Sequence, residues 1–301
     1  MIEFRSMSFG YGKKNLFSGL DLNLEPGSVY GLLGLNGAGK TSLLKLMAGA
    51  LRPQEGSIEV FGKDPGLRRA DLLADMVFVP EDPWLPAIKP EGWLDRYAAF
   101  RPLFDRGRFM ALMDELALDK DKLLTKYSYG QRKKFALAAA LASGARTLLL
   151  DEPTNGLDIP SKAQLRRILA AAAEPGRVVV VSTHQVRDLE HLIDPIVIVH
   201  GGRILFTLSN EELGRSLCSA HLSSLEGKPV VYAERDAVGW SVLLAREPGK
   251  DSEAEEGASP DLELVFDAAI AAPDHLTAAL SGASLPAYVP EEHLIAKEAN
   301  R

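Results

Sequence analysis

Cysteine, long apolar runs and surplus basic charge are all scarce in this sequence, and each scarcity removes a class of protein. A single cysteine, Cys218, stands in 301 residues. It cannot close an internal disulfide, and nothing around it has the paired Cys/His spacing of a metal site, so the chain fits a reducing compartment. No run reaches the roughly 18 apolar residues of a membrane-spanning helix. The opening Met1-Ile2-Glu3-Phe4-Arg5 also lacks the basic region and apolar core of a secretion signal. The chain is therefore expected not to cross a membrane by itself. Lys and Arg number 34 against 41 Asp and Glu, for a formal net charge of −7. Without a basic patch, no nucleic acid is expected as a partner.

What is present is ordinary globular composition, with 46% hydrophobic and 25% charged residues. The length suggests one large domain with an appendage, or two domains. The acidic excess lies almost wholly beyond residue 215, whereas the preceding chain is nearly balanced. Such a shift predicts a boundary, which we place between a domain at 1–210 and an acidic accessory domain at 211–301.

Short apolar runs at Val29–Leu33, Met76–Val79, Leu148–Leu150, Val178–Val181 and Ile196–Val199 read as buried strands. Helical patterns at Ser42–Ala50, Gly130–Ala142 and Ser161–Ala173 alternate with them. Ser161 after Pro160 reads as an N-cap and Pro175-Gly176 as a stop. The alternation predicts an α/β fold with a mainly parallel core sheet and crossover helices. Ile2 and Phe4, like Leu20, Leu22 and Leu24, alternate with polar residues, which predicts an added antiparallel layer. Residues 82–127 show helical spacing punctuated by Pro83, Pro86 and Pro90 and read as a helical subdomain. Within it Trp84, Leu85, Trp93 and Tyr97 suit either partner contact or internal packing. Beyond about residue 209, Val230–Tyr232 and Val242–Leu244 suggest strands of a small α+β extension, and the polar run 251–257 reads as a loop.

The chemistry concentrates first at Gly34-Leu35-Asn36-Gly37-Ala38-Gly39-Lys40-Thr41, which fits the phosphate-loop pattern G-x-x-x-x-G-K-[ST] between a strand and a helix. Its glycines allow the backbone curvature that turns N–H groups of Gly34, Asn36, Gly37, Ala38, Gly39 and Ser42 toward phosphate oxygens. Lys40 is expected on the β and γ phosphates and the Thr41 hydroxyl on Mg²⁺. Leu148-Leu149-Leu150-Asp151-Glu152 is an apolar strand ending in two carboxylates. These suit either a solvated strand end or a site in which Asp151 holds Mg²⁺ and Glu152 polarises a water.

With these elements in place, further segments resemble the ABC ATPase family. Tyr127-Ser128-Tyr129-Gly130-Gln131 resembles its Leu-Ser-Gly-Gly-Gln signature loop, and Thr154-Asn155-Gly156-Leu157-Asp158 resembles its D-loop. His184 resembles the switch histidine at the γ phosphate, and Tyr11 the aromatic that stacks on adenine. The resemblance covers about residues 1–210 and implies a P-loop NTPase fold of ABC type that binds and hydrolyses ATP with Mg²⁺. It further implies head-to-tail pairing with a second ABC subunit, identical or related, so that Ser128 and Gly130 reach a nucleotide held by the partner, and it implies Gln131 and Asp158 as further nucleotide-binding residues. Integral-membrane permease subunits are the implied transport partners, which places the chain in the cytoplasm, peripheral on the inner face of the membrane.

Three positions depart from the family pattern: Tyr127 replaces the usual leucine, an apolar-for-apolar change, and two others stand close to the chemistry. Glu81 follows the Val77–Pro80 strand where many members carry a metal-sensing glutamine, and Tyr129 replaces the first signature glycine. Glu81 still offers an oxygen to a metal but adds negative charge. The segment Asp261-Leu262-Glu263-Leu264-Val265-Phe266 resembles a Leu-Glu-Asp-x-Phe run of exporter-type members, or is simply the start of an amphipathic helix. The reading favoured is the ATPase subunit of an exporter. The alternatives are a soluble ABC ATPase acting on ribosomes or DNA, and a nucleotide-dependent regulatory module.

Overall fold

Alternating apolar residues build the first layer of the computed structural model, which describes residues 1–246, 259–286 and Tyr288. Strand β1 (Ile2–Tyr11) pairs antiparallel with β2 (Lys14–Leu24) and with β4 (Glu55–Val60). Ile2 lies opposite Leu24 and Phe4 opposite Leu22. One face of this sheet is buried, as period-two alternation requires.

The second sheet has the order β5-β6-β7-β3-β8-β9, built from β5 (Met76–Val79), β6 (Thr147–Asp151), β7 (Val178–Thr183), β3 (Val29–Leu33), β8 (Ile196–His200) and β9 (Arg203–Leu208). Strands β5 to β8 run parallel. Their near-continuous apolar runs follow from burial on both faces. The turn Gly201-Gly202 joins β8 to β9 with positive φ at both residues, the conformation a two-residue hairpin demands. The fold is α/β, as the sequence pattern predicts.

Helices α1 (Lys40–Met47), α2 (Ala70–Ala74), α5 (Tyr129–Ala142) and α6 (Ile159–Ala170) connect the strands, and α3 (Pro90–Ala98) and α4 (Arg106–Glu115) lie between β5 and α5. Trp93 of α3 stacks on Tyr97 at 4.2 Å and meets Phe135 of α5 edge-on at 5.0 Å. Trp93 and Tyr97 thus have internal packing roles, worth about 0.5–1.5 kcal/mol per ring pair beyond area burial. Trp84 is 82% exposed.

Helix boundaries differ from expectation at both ends of α1 and of α6. Helix α1 starts at Lys40, because left-handed Gly39 (φ 103) turns the chain directly into it, and it ends at Met47 ahead of left-handed Gly49. Helix α6 is capped by Asp158, whose carboxylate accepts from Ser161 N at 2.8 Å, so Ser161 is a recipient of the cap. Proline is tolerated in the first helical turn, and Pro160 therefore lies inside the helix. The same helix stops at Ala170, well short of Pro175-Gly176.

The chain divides into two compact units, Met1–Thr207 and Leu208–Arg301. In the second, β10 (Leu217–Leu222), β12 (Trp240–Ala245) and β11 (Val230–Arg235) form an antiparallel sheet, accompanied by α7 (Asn210–Ser216), α8 (Leu262–Ala271) and α9 (Pro273–Ser281). Strand β10 has no apolar run to announce it, since Ser219 and His221 interrupt its sequence. Asp261 caps α8 by accepting from Glu263 N at 2.8 Å. The polar run 251–257 lies outside the described residues.

Candidate functional site

The loop between β3 and α1 takes its shape from close packing. A Cβ at Gly34 would come within 2.8 Å of the Val199 carbonyl oxygen, and one at Gly39 within 2.4 Å of the buried Phe17 ring. Gly37 and Gly39 both have positive φ, which L side chains rarely adopt. The backbone of the loop therefore needs glycine at these points.

Lys40, 6% exposed, folds back so that its Nζ donates to the carbonyls of Gly34 at 2.7 Å and Leu35 at 3.3 Å. The same nitrogen stands 3.5 Å from Glu152 Oε1. Thr41 Oγ1 donates to Asp151 Oδ2 at 2.8 Å, and Ser182 Oγ donates to Asp151 Oδ1 at 2.6 Å. Both oxygens of this buried carboxylate are thereby satisfied, as burial of a charge requires.

Glu152 is the neighbour of Asp151 but leaves the strand differently. Its φ is +44, an uncommon conformation for a residue with a side chain, and its carboxylate turns toward the loop. Oε1 lies 2.8 Å from His184 Nδ1. An ionised carboxylate can only accept, which assigns the proton to Nδ1. Gln185 Nε2, 3.4 Å from His184 Nε2, suits that tautomer by donating to the other ring nitrogen.

Around these groups opens a cavity of about 570 Å³. Tyr11, Asn36, Gly37, Gly39, Lys40, Thr41 and Ser42 line it from one side, and Glu81, Glu152 and His184 from the other. Tyr11 is 53% exposed, is steadied by edge-on contact with Phe9 at 5.0 Å, and has its hydroxyl 3.1 Å from Ser42 Oγ. Gly34 and Ala38 belong to the loop, and Asp151 joins through Thr41. Lys14, Leu16 and Asn155 also line the cavity although sequence reasoning did not select them. For Asn155 a signal existed, since it falls inside the quoted D-loop segment.

Ser128, Gly130, Gln131 and Asp158 are not among the lining residues. Ser128 and Gln131 form a reciprocal capping box at the start of α5, with Gln131 N donating to Ser128 Oγ at 3.2 Å and Ser128 N to Gln131 Oε1 at 3.0 Å. Asp158, capping α6, has its carboxyl held below the usual range by those hydrogen bonds from Ser161.

The two departures close to the chemistry meet each other. Tyr129 turns back into its own chain, its hydroxyl donating to the Glu81 carbonyl at 3.1 Å. A Cβ on Gly156 would come within 2.8 Å of its ring. The Glu81 carboxylate accepts from Asn155 Nδ2 at 2.6 Å.

Comparison with known proteins agrees with this geometry. The sequence profile of a family described as ABC transporter matches residues 17–155. The Nod factor export ATP-binding protein I of Burkholderia orbicola is 30% identical over 208 residues, covering 67% of this chain and 68% of that protein. The chain belongs to the ABC transporter family. As an ATP-binding subunit of this family it is an ATPase. The daunorubicin/doxorubicin resistance ATP-binding protein DrrA of Streptomyces peucetius is 33% identical over 215 residues, covering 69% of this chain and 65% of that one. The fold of this ATP-binding subunit is also similar to a structure described as the ATP binding subunit of an ABC transporter. That match has a TM-score of 0.66 at 24% identity, over 71% of this chain and 92% of the other.

Proposed function

We propose that this ATPase drives export through separate membrane subunits, hydrolysing Mg-ATP in a site that a second ABC subunit completes. The names of its relatives, which concern drug resistance and Nod factor export, support the direction. No helix among the described residues is long and apolar enough to cross a membrane. The reading assigns the substrate path to permease partners and the chain to the inner membrane face. Recovery of a multi-spanning protein with the chain from membranes is the expected result, and recovery of ribosomes instead would overturn it.

The observation that carries the chemistry is the buried Glu152 carboxylate, 2.8 Å from His184 and 3.5 Å from Lys40, at the wall of the phosphate-loop cavity. Adenine stacks on the exposed face of Tyr11. Lys40 exchanges the carbonyls of Gly34 and Leu35 for β- and γ-phosphate oxygens. Glu152 orients and polarises the attacking water, with His184 fixing its carboxylate near the γ phosphate.

The donors present suit Mg²⁺. Among the described residues no group of three or more His, Cys, Asp or Glu could cage a metal, whereas one hydroxyl and one carboxylate, Thr41 and Asp151, already face each other at 2.8 Å. Magnesium characteristically combines one or two such ligands with phosphate oxygens and water. Glu81, with Oε1 engaged by Asn155, is the accessory acidic donor. When bound, the ion neutralises charge on the β and γ phosphates.

Ser128 and the N-terminus of α5 act on the partner's nucleotide. The Ser128 oxygen accepts within its own capping box, which leaves the O–H free to donate outward. Glu152→Gln tests the reading, because it keeps the shape and removes the base. Mg-ATP binding should persist while kcat falls about 100- to 10,000-fold, and near-normal turnover would sink the assignment.

A further inference from the structure

Lys133 lies in the second turn of α5, only 2% exposed, an unusual place for an ammonium group. Its Nζ donates to the Glu152 carbonyl at 2.6 Å and to the Asn155 carbonyl at 2.7 Å, and stands 5.0 Å from the centre of the Tyr129 ring. Burial pulls its pKa down from 10.5 to about 8, against the pull of Glu81 and Glu152. A charge so situated is costly unless fully partnered, and its partners are backbone atoms of the segment that presents Glu152.

That segment needs holding. Glu152 sits at φ +44, which costs on the order of 1–3 kcal/mol unless the surroundings impose it. Its N–H is fixed by Ser182, with the hydroxyl at 3.0 Å and the carbonyl at 3.2 Å. Its carbonyl accepts from Asn155 N at 3.2 Å and from Lys133. The peptide groups on either side of the Glu152 Cα are thus clamped, Ser182 on one and Lys133 on the other, and the clamp sets the direction in which the side chain leaves. We propose that Lys133 is a positioning residue for hydrolysis, aiming the Glu152 carboxylate by holding its backbone carbonyl.

This rests on the assignment of Glu152 as the group that polarises water, and the test separates the two. Lys133→Met keeps the length of the side chain and removes its donors. With ATP binding and the KM for ATP within twofold of the parent, kcat should fall about 10- to 100-fold, the scale of a misplacement near 1 Å. Lys133→Arg, which can donate to both carbonyls, should recover most of that loss. Combining Lys133→Met with Glu152→Gln should cost no more than Glu152→Gln alone, since both remove one function. A purely structural brace would instead lower the melting temperature and give losses that add. Three results overturn the inference: unchanged kcat in Lys133→Met, loss of ATP binding in that variant, or additive losses in the double variant. If Glu152→Gln itself turns over normally, it is the proposed function that fails.

Discussion

The phosphate-loop side of the ATPase unit and its signature side use the same residue types in opposite ways. Around the phosphate loop, polar side chains from α1 and from the ends of β6 and β7 converge on one another: Lys40 toward Glu152, Thr41 toward Asp151, His184 toward Glu152. At the signature segment, Ser128 and Gln131 bond to each other's backbone, and Asp158 does the same at α6. The first arrangement is a set of convergent polar groups at one cavity. The second is a pair of capped helix starts whose capping residues do not line that cavity. A helix N-terminus is suited to anionic oxygens. The contrast supports a site divided between two chains, each contributing one side.

The largest effect should come from the phosphate-loop side. Lys40→Ala removes the charged donor to the phosphates, a contact worth about 1.5–3 kcal/mol. Titration of the isolated chain with Mg-ATP should show a loss of affinity of roughly 10- to 100-fold. Unchanged affinity would break the comparison at its stronger end.

Ser128→Ala should leave that affinity alone. It removes a cap, at a cost of about 1 kcal/mol in stability, and a donor to the partner's nucleotide. The expected fall in kcat is about 10-fold. Mixing Lys40→Ala chains with Ser128→Ala chains then sharpens the point. Each mixed dimer holds one site with an intact Lys40 and an intact Ser128 from different chains, so ATPase activity should exceed that of either variant alone. Absence of such recovery would argue that Ser128 serves its own chain only.

Much of the phosphate-loop side was legible because its information is local. Gly34 to Thr41 is contiguous, and its neighbours β3 and β6 are apolar runs that burial on both faces makes unmistakable. The clamp around Glu152 was not legible. Ser182 and Lys133 reach it from other elements, 30 and 19 residues away in the chain. A lysine in a helix reads as solvated unless the fold is known. The positive φ of Glu152 has no sequence signature, since only glycine announces that conformation. Tyr129 reads in sequence only as a missing glycine, and its bond to the Glu81 carbonyl joins it to the other departure. The α6 cap could have been read, because proline favours the first helical turn and so points to Asp158 before it rather than to Ser161.

The smallest effect concerns that cap. Asp158 accepts from Ser161 N, and hydrogen bonding to Ser161 holds its folded pKa below the ordinary carboxyl range. A depressed carboxyl stabilises the fold above its unfolded pKa and loses that contribution as pH falls toward the folded one. Asparagine caps a helix about as well but does not titrate. Between about pH 5 and pH 3 the melting temperature of the parent should therefore fall slightly more steeply than that of Asp158→Asn. At pH 7, where both side chains keep the cap, turnover of the two separates this capping role from the nucleotide contact that the family resemblance implies for Asp158. A clear loss of turnover at pH 7 with unchanged melting would show that the carboxylate itself reaches the shared site. It would also narrow the difference between the two sides.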